Sequence, residues 1–488
     1  MKSTKRFYLL SFLLGCIVGG VIIGLQETFI NPLFAQGNTL SIGQLDPEYT
    51  KYMNMFLSAY NIIKEQFYDE KQTTPKILFY GAIKGMLENT GDPYTTFMDP
   101  QITKEFNIDI GGTFGGLGIH IGDREGQLTV IAPIEDTPAW KAGLKPNDKI
   151  LEIDGKSTAG ITSSEAVNIL RGKPGTKVTL TIGRKGIEPF KVTITRAVIK
   201  VPTVKSAYID QKQKRYGYIR LIEFSMPTAF DFKTSLEQMM KSNVSGLIID
   251  LRNNPGGLLT AVAECANYFI SNGLLVYVRG RNNQLAEDYR ATPQKFLVPT
   301  KIPVVVLINE GSASASEIFA GAMQDTRRGI IVGTKSFGKG SVQQTYPFPE
   351  DGSQIKFTVA KYFTPAGRTI DKVGVQPDVE EKYWLETLSD IEKNALVKLQ
   401  STNFIKEFLN KNPSYTKADV AQFQTNLMKT GLPVPLLALE YLLYSEKIQE
   451  EIPPVYTLEY DNQLQKALEV LDNYSKYQKP IQYYQQAK

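Results

Sequence analysis

Two clusters of small and polar residues mark where this chain could break a bond. The first runs Asn309-Glu310-Gly311-Ser312-Ala313-Ser314-Ala315-Ser316-Glu317, directly after the apolar run 303–308 and directly before the helical pattern Ile318-Phe319-Ala320. A serine at such a strand-to-helix turn can hold its hydroxyl exposed, while the unpaired amides of the first helical turn point towards it and can donate to a developing oxyanion. Ser314 followed three residues later by Glu317 is also the spacing of a capping box. On this stretch alone, cap and nucleophile both stay open.

The second cluster is Gly333-Thr334-Lys335-Ser336-Phe337-Gly338-Lys339-Gly340-Ser341-Val342-Gln343. A lysine between two glycines after an apolar strand is poorly explained as a solvated charge, because glycine carries an entropic cost unless the backbone geometry requires it. The competing reading is a glycine-rich turn with an exposed lysine. His120 is the only histidine of the 488 residues, so a Ser-His-Asp triad, a Cys-His pair or a zinc site has a single imidazole to draw on. It lies in Gly116-Leu117-Gly118-Ile119-His120-Ile121-Gly122, where apolar residues alternate, the pattern of a half-buried strand with His120 on its far side. A proton shuttle in this chain must therefore use another group.

Lysine can serve as that base only when neutral near pH 7, which needs a pKa roughly three units below its usual ~10.4, equivalent to about 4 kcal/mol. Burial can supply this, and Phe337, Val342 and Phe319 are candidates for the dry wall. Gln343, four residues after Lys339, can orient the amine by accepting its hydrogen bond without adding a negative charge. Lys335 is a second cation that would depress Lys339 further if both were buried, but an exposed Lys335 is the expected case. No cofactor or metal is expected.

Elements must place these residues. The length suggests about three domains on a prior of roughly 100 to 200 residues each. Lys and Arg total 55 against 50 for Asp and Glu, a net charge of +5 that gives no case for nucleic acid. After Lys2, Lys5 and Arg6, residues 7–25 form an uncharged apolar run close to the roughly 20 needed to cross a bilayer, with the basic end kept in the cytoplasm. The reading is an anchor within 1–35, with cleavage near Ala35 or lipidation at Cys16 as alternatives, and the remainder outside the cytoplasmic membrane. Cys16 and Cys265 are the only thiols, so no disulfide is expected in the exported part.

The expected fold is a multidomain α+β chain. Residues 36–104 carry helical spacing, first at Phe56, Tyr60, Ile63 and Phe67, then at Leu78, Ile83, Met86 and Leu87, and end in the turn cluster Gly91-Asp92-Pro93-Tyr94. Short alternating strands with one helix make 105–200 a small β module. In 201–380, buried-looking strands such as Gly246–Asp250 and Val304–Ile308 alternate with helices, the pattern of a covered sheet with sites beyond its strand ends. Residues 381–488 read as helical and polar, without a catalytic constellation.

Taken in order, Gly115-Gly116-Leu117-Gly118-Ile119, Asp250-Leu251-Arg252-Asn253-Asn254-Pro255-Gly256-Gly257, the Ser312–Glu317 block and Phe337-Gly338-Lys339-Gly340-Ser341-Val342-Gln343 resemble the C-terminal processing peptidases, the family of tail-specific serine proteases. The resemblance implies a protease core of crotonase or Clp-protease type. It also implies Ser314 as nucleophile, Lys339 as general base, Gln343 as its partner, and the amides of Gly257 and Ala315 as the oxyanion hole. The choice of Ser314 over Ser312 and Ser316 comes from the family pattern.

The β module, with Ala142-Gly143-Leu144-Lys145-Pro146-Asn147-Asp148 further along, resembles a PDZ domain. Gly116, Leu117, Gly118 and Ile119 would then hold a chain-terminal carboxylate beside a strand edge that accepts the peptide. Arg171 would sense the bound tail or be an ordinary turn residue. The expected activity is serine endopeptidase cleavage of protein C-terminal tails. A catalytically silent PDZ scaffold is the alternative. Protein substrates, the cytoplasmic membrane through residues 7–25, and a homodimer through the helical regions are the expected partners.

Overall fold

The computed structural model describes residues 46–124, 126–134, 136–448 and 454–478. The expected anchor and its alternatives at Cys16 and Ala35 lie outside the described residues, among which no helix is long and apolar enough to cross a membrane. The chain divides into two compact units, up to Met86 and from Leu87 onwards.

The first unit contains the helix Pro47–Gln66, opened by Asp46, whose carboxylate accepts from the Glu48 amide at 3.0 Å. The helix Pro75–Glu88 follows, and its Phe79 ring lies 6.0 Å from Phe56 and 5.0 Å from Tyr60. No residue of Pro47–Gln66 is buried. Tyr52, Met55, Leu57 and Ile62 present apolar surface to solvent.

In the second unit a turn at Gly91–Tyr94 leads into the short strand Thr96–Met98 and the helix Pro100–Gly111, which stops at Gly112 in the left-handed region (φ 62). This helix runs through position 104, so the expected border between helical region and β module falls inside an element. The β module follows as an antiparallel sheet ordered Ile119–Arg124, Gln127–Pro133, Lys149–Ile153, Lys177–Gly183, Phe190–Thr195, with the helix Ser163–Leu170 against its first strand. Val130, Ile150, Leu180 and Ile182 are fully buried between sheet and helix. Thr162 and Glu165 cap that helix reciprocally.

The largest layer is a six-stranded sheet ordered Val204–Gln211, Lys214–Leu221, Gly246–Asp250, Val304–Ile308, Ile330–Gly333, Val379–Glu380. The first pair is antiparallel and the rest are parallel. Every residue of Gly246–Asp250 and Val304–Ile308 is buried, because helices cover both faces. Alternation divides the side chains: Leu247, Ile249, Val304, Val306 and Ile308 meet the helices Thr228–Lys241, Leu259–Asn267 and Ala315–Asp325, while Ile248, Val305 and Leu307 meet the distant helix Asn462–Asp472 through Leu464, Leu468 and Leu471.

A second, antiparallel sheet places Ser353–Phe363 between Thr96–Met98 and Gly273–Arg279, and pairs it with Ser341–Phe348. Helices from Asp390 to Lys447 bury Leu396, Leu399, Val420, Leu439 and Leu443 in a separate core.

Candidate active site

The Ser314 turn begins where the strand Val304–Ile308 ends. Ser314 has φ 55 and ψ −114, a conformation outside the regions open to a side-chain-bearing residue without strain, of the kind that costs about 1–3 kcal/mol and gathers at functional sites. It is the N-cap of the helix Ala315–Asp325, which is buried from Ala315 to Gln324. The other two serines have structural duties. The Ser312 hydroxyl donates to the Leu251 carbonyl at 2.8 Å and the Ser316 hydroxyl to the Asn254 carbonyl at 2.9 Å, both fully buried. With the Ala313 amide on the Asn254 carbonyl at 3.0 Å, they sew the serine turn to the loop Leu251–Gly257. Ser314, partly accessible between them, donates to no backbone carbonyl among the described residues.

That loop runs against the serine. A Cβ on Gly256 would lie 2.7 Å from the Ser314 Cβ and 2.9 Å from the Ala315 nitrogen. Gly257, at φ 138, has no room for a side chain, since a Cβ would meet the Phe224 carbonyl oxygen at 2.1 Å. Phe224 donates to the Gly256 carbonyl at 2.8 Å and accepts from the Leu258 amide at 2.6 Å, so this bridge leaves the Gly257 amide unused. The Ala315 amide, at the first helical position, has no intrahelical acceptor either. Among the described residues neither amide has a backbone acceptor; Ala315 follows Ser314 directly, and Gly257 follows Gly256, the glycine that packs on the Ser314 Cβ.

The capping-box reading is half realised. The Glu317 carboxylate accepts from the Ser314 amide at 2.8 Å, but the Ser314 side chain makes no cap bond in return. Fully buried Glu317 also accepts from the Ser336 hydroxyl at 2.6 Å and from the amides of Gly338 at 2.7 Å and Lys339 at 2.8 Å. The same carboxylate oxygen receives the amides of Ser314 and Lys339, so the two nitrogens are no further apart than twice that 2.8 Å length. Glu317 is the residue that joins the two clusters. The Ser-x-x-Glu spacing is its local signal, and by itself that spacing reads as a helix cap.

Gly340 explains its glycine, because a Cβ there would sit 2.3 Å from the Asp371 nitrogen. Lys339 is half-buried, and its pKa lies below the ordinary lysine value, first because of burial and then because of Lys356, with Asp92 and Glu317 acting in the opposite direction. The amine lies 4.7 Å from the centroid of the Tyr94 ring. The phenol of Tyr362 donates to the Lys339 carbonyl and faces the Ser314 side chain; burial, then Glu317, raises its pKa well above the usual value.

Several expectations need correction. Phe337 is exposed and Phe319 is fully buried among Phe232 and Phe269, so neither walls the amine; Tyr94 does. Lys335 is exposed, as expected, and the cation that depresses Lys339 is Lys356, on the strand Ser353–Phe363. Gln343 does not hold the amine in this structure: its Nε2 donates to Ser341 Oγ at 2.8 Å and Thr358 Oγ1 at 3.2 Å. It sits at a bulge, where the pairing shifts between Val342↔Ala360 and Gln343↔Thr358, and a bulge re-aims the side chains beside it. His120 is exposed on its strand, and partial desolvation followed by Lys205 lowers its pKa.

In the β module, Leu117 is buried in the core, and the Leu117 and Gly118 carbonyls accept from the amides of Ala139 and Ile134 at 2.9 and 2.8 Å. Thr137 packs so closely on Gly118 (φ 78) that a Cβ would lie 2.3 Å away. Among the described residues the Leu117 and Gly118 amides donate to no backbone acceptor. Ile119 starts the edge strand. Arg171 ends the helix Ser163–Leu170, its guanidinium 4.8 Å from the Phe114 ring centroid, beside Gly116.

A strained serine and a half-buried lysine of lowered pKa, tied together at the end of a covered parallel sheet and preceded in the chain by a PDZ-like module, form an arrangement that a serine-type peptidase can use. The profile of Peptidase family S41 matches residues 215–381, that of the PDZ domain residues 129–184, and that of the Activating protease CtpB N-terminal domain residues 31–102. The carboxy-terminal processing proteases CtpA and CtpB of Bacillus subtilis are 37% and 39% identical over 71% and 70% of this chain, and over 73% and 70% of their own lengths. The carboxy-terminal-processing protease of Bartonella bacilliformis is 41% identical over 62% of this chain and 69% of its own. The chain belongs to the carboxy-terminal processing proteases, serine-type peptidases with a PDZ domain.

Proposed function

We propose that the protein cleaves polypeptides near their C-termini by a Ser-Lys mechanism. The PDZ module takes the chain-terminal carboxylate on the amides of Leu117 and Gly118, with Gly116 and Ile119 on either side and the edge strand accepting the tail as an added strand. Arg171, stacked on Phe114 beside this loop, reports occupancy to the core. Ser314 Oγ attacks the scissile carbonyl while neutral Lys339 takes its proton. The oxyanion is held by the Gly257 and Ala315 amides. Lys339 returns the proton to the leaving amine, and water, deprotonated by the same amine, resolves the acyl-enzyme. Gln343 turns to the amine in the working arrangement.

The observation that carries this reading is the single Glu317 oxygen shared by the Ser314 and Lys339 amides. We place the N-terminus in the cytoplasmic membrane through residues 7–25, with the catalytic part on the outer or periplasmic side and the core arranged as in crotonase and Clp-type proteases. We assign homodimer contacts to the helical regions, where Tyr52, Met55, Ile62 and Val397 are exposed. Incubating full-length protein with a tagged protein that ends in an unstructured tail, and weighing the products, tests the activity. Loss of the tail with the parent and none with Ser314→Ala or Lys339→Ala is expected; cleavage by either variant at the parent rate defeats the reading.

A further inference from the structure

The Lys339 amine is the one group of the proposed dyad whose position is not explained by either partner. Among the described residues it forms no ion pair and no hydrogen bond, and its near neighbour is the face of Tyr94 at 4.7 Å. The turn that carries this ring is tied down by hydrogen bonds. The Asp92 carboxylate accepts from the Tyr94 amide at 3.2 Å and from the Thr95 hydroxyl at 2.6 Å, and the Thr95 hydroxyl accepts from the Thr358 amide at 3.2 Å. Thr358 is also the residue to which Gln343 donates. One position on the strand Ser353–Phe363 thus anchors both the turn that carries the ring and the glutamine.

The charged and titratable groups facing this pair are Lys356 from the same strand, Asp92 from the turn, Glu317 from the serine helix, Asp371 from the loop beyond Gly340, and buried Tyr362. An aromatic face attracts an ammonium and has no comparable hold on a neutral amine. The ring can therefore keep the cation and release the base.

We propose that Tyr94 is a positioning residue for the peptidase reaction: its face holds the Lys339 ammonium of the resting enzyme without a hydrogen bond to Ser314, and the amine leaves the ring when it gives its proton to water and turns to the serine. This rests on the Ser-Lys reading above. The ring competes with catalysis for the amine, so weakening the ring's negative face moves the amine towards its neutral form.

The test is a series in full-length protein with Tyr94 replaced by phenylalanine, 4-fluorophenylalanine and 3,4,5-trifluorophenylalanine, rings of nearly equal size with a progressively drained face. The readout is the pH dependence of kcat/KM on an unstructured tail peptide. Tyr94→Phe should keep the parent's acid limb, and the trifluoro ring should move it to lower pH by about half to one unit. A limb that stays in place across the series, or moves to higher pH, overturns the proposal; a ring that only fills space would change rates at all pH values alike. Lys339→Ala run beside the series separates the two readings, since full activity there defeats the Ser-Lys reading itself, whatever the rings do.

Discussion

At the scale of single residues, the site distinguishes three serines spaced two apart by what their hydroxyls do. Ser312 and Ser316 are buried donors to carbonyls of the 251–257 loop, so Ser312→Ala or Ser316→Ala should cost about 1–3 kcal/mol in denaturant unfolding by leaving an acceptor unpaired, with a smaller loss of kcat than Ser314→Ala, which should abolish turnover while leaving unfolding nearly unchanged. Family resemblance picked Ser314; the physical reason, that its neighbours are committed to the fold, needed coordinates. Lys339 gives a second expectation. Its amine works as a base when neutral, and Lys356 helps burial to depress it; Lys356→Gln should raise that pKa and move the acid limb of kcat/KM to higher pH. The lysine itself was legible from its glycines, but its surroundings were not. Phe337 follows Ser336 in an irregular segment, and nothing local says that its ring faces water while Tyr94, well over two hundred residues earlier, supplies the wall.

At the scale of elements, the strands of the parallel sheet were readable because burial on both faces makes them continuous apolar runs with turn residues after them. The loop beyond each strand end is where the chemistry gathers, and its glycines are fixed by contact. Gly257→Ala would push a methyl group into the Phe224 carbonyl. It should lower kcat by about a hundredfold or more, the loss expected of one displaced oxyanion donor, with less effect on tail binding to the PDZ module, as fluorescence anisotropy with a labelled tail peptide would report. The Gln343 bulge was not legible, since an extra residue in one strand depends on its partner Ser353–Phe363 and leaves no local mark.

At the scale of the whole molecule, the C-terminal hundred residues looked like a polar helical layer, yet their last long helix, Asn462–Asp472, closes the far face of the catalytic sheet. Leu464, Leu468 and Leu471 recur at helical spacing, but which sheet they cover is a matter of tertiary contact. A buried ionic link accompanies it: Arg252 binds Asp250 at 2.6 Å and Asp461 at 2.7 Å, and Tyr218 donates to Asp250 at 2.7 Å. Burial pushes the Asp250 carboxyl up, but Arg252 and Tyr218 more than offset this, and its pKa lies below the ordinary 3.8. Its contribution to stability is complete above that value and is lost as pH falls through the lower folded one. Arg252→Met should cost about 3–5 kcal/mol at neutral pH by stranding a buried carboxylate, and urea titrations should then find the variant gaining stability on acidification from pH 7 to 5, where the parent stays flat.

The stitches from Ser312 and Ser316, and the grip of Glu317 on a main-chain amide, make no use of the Ser314 oxygen. Deleting that one atom removes the cutting edge and leaves the groove assembled. Ser314→Ala protein is therefore suited as bait, which should hold its natural clients uncut long enough to be recovered from cells and identified.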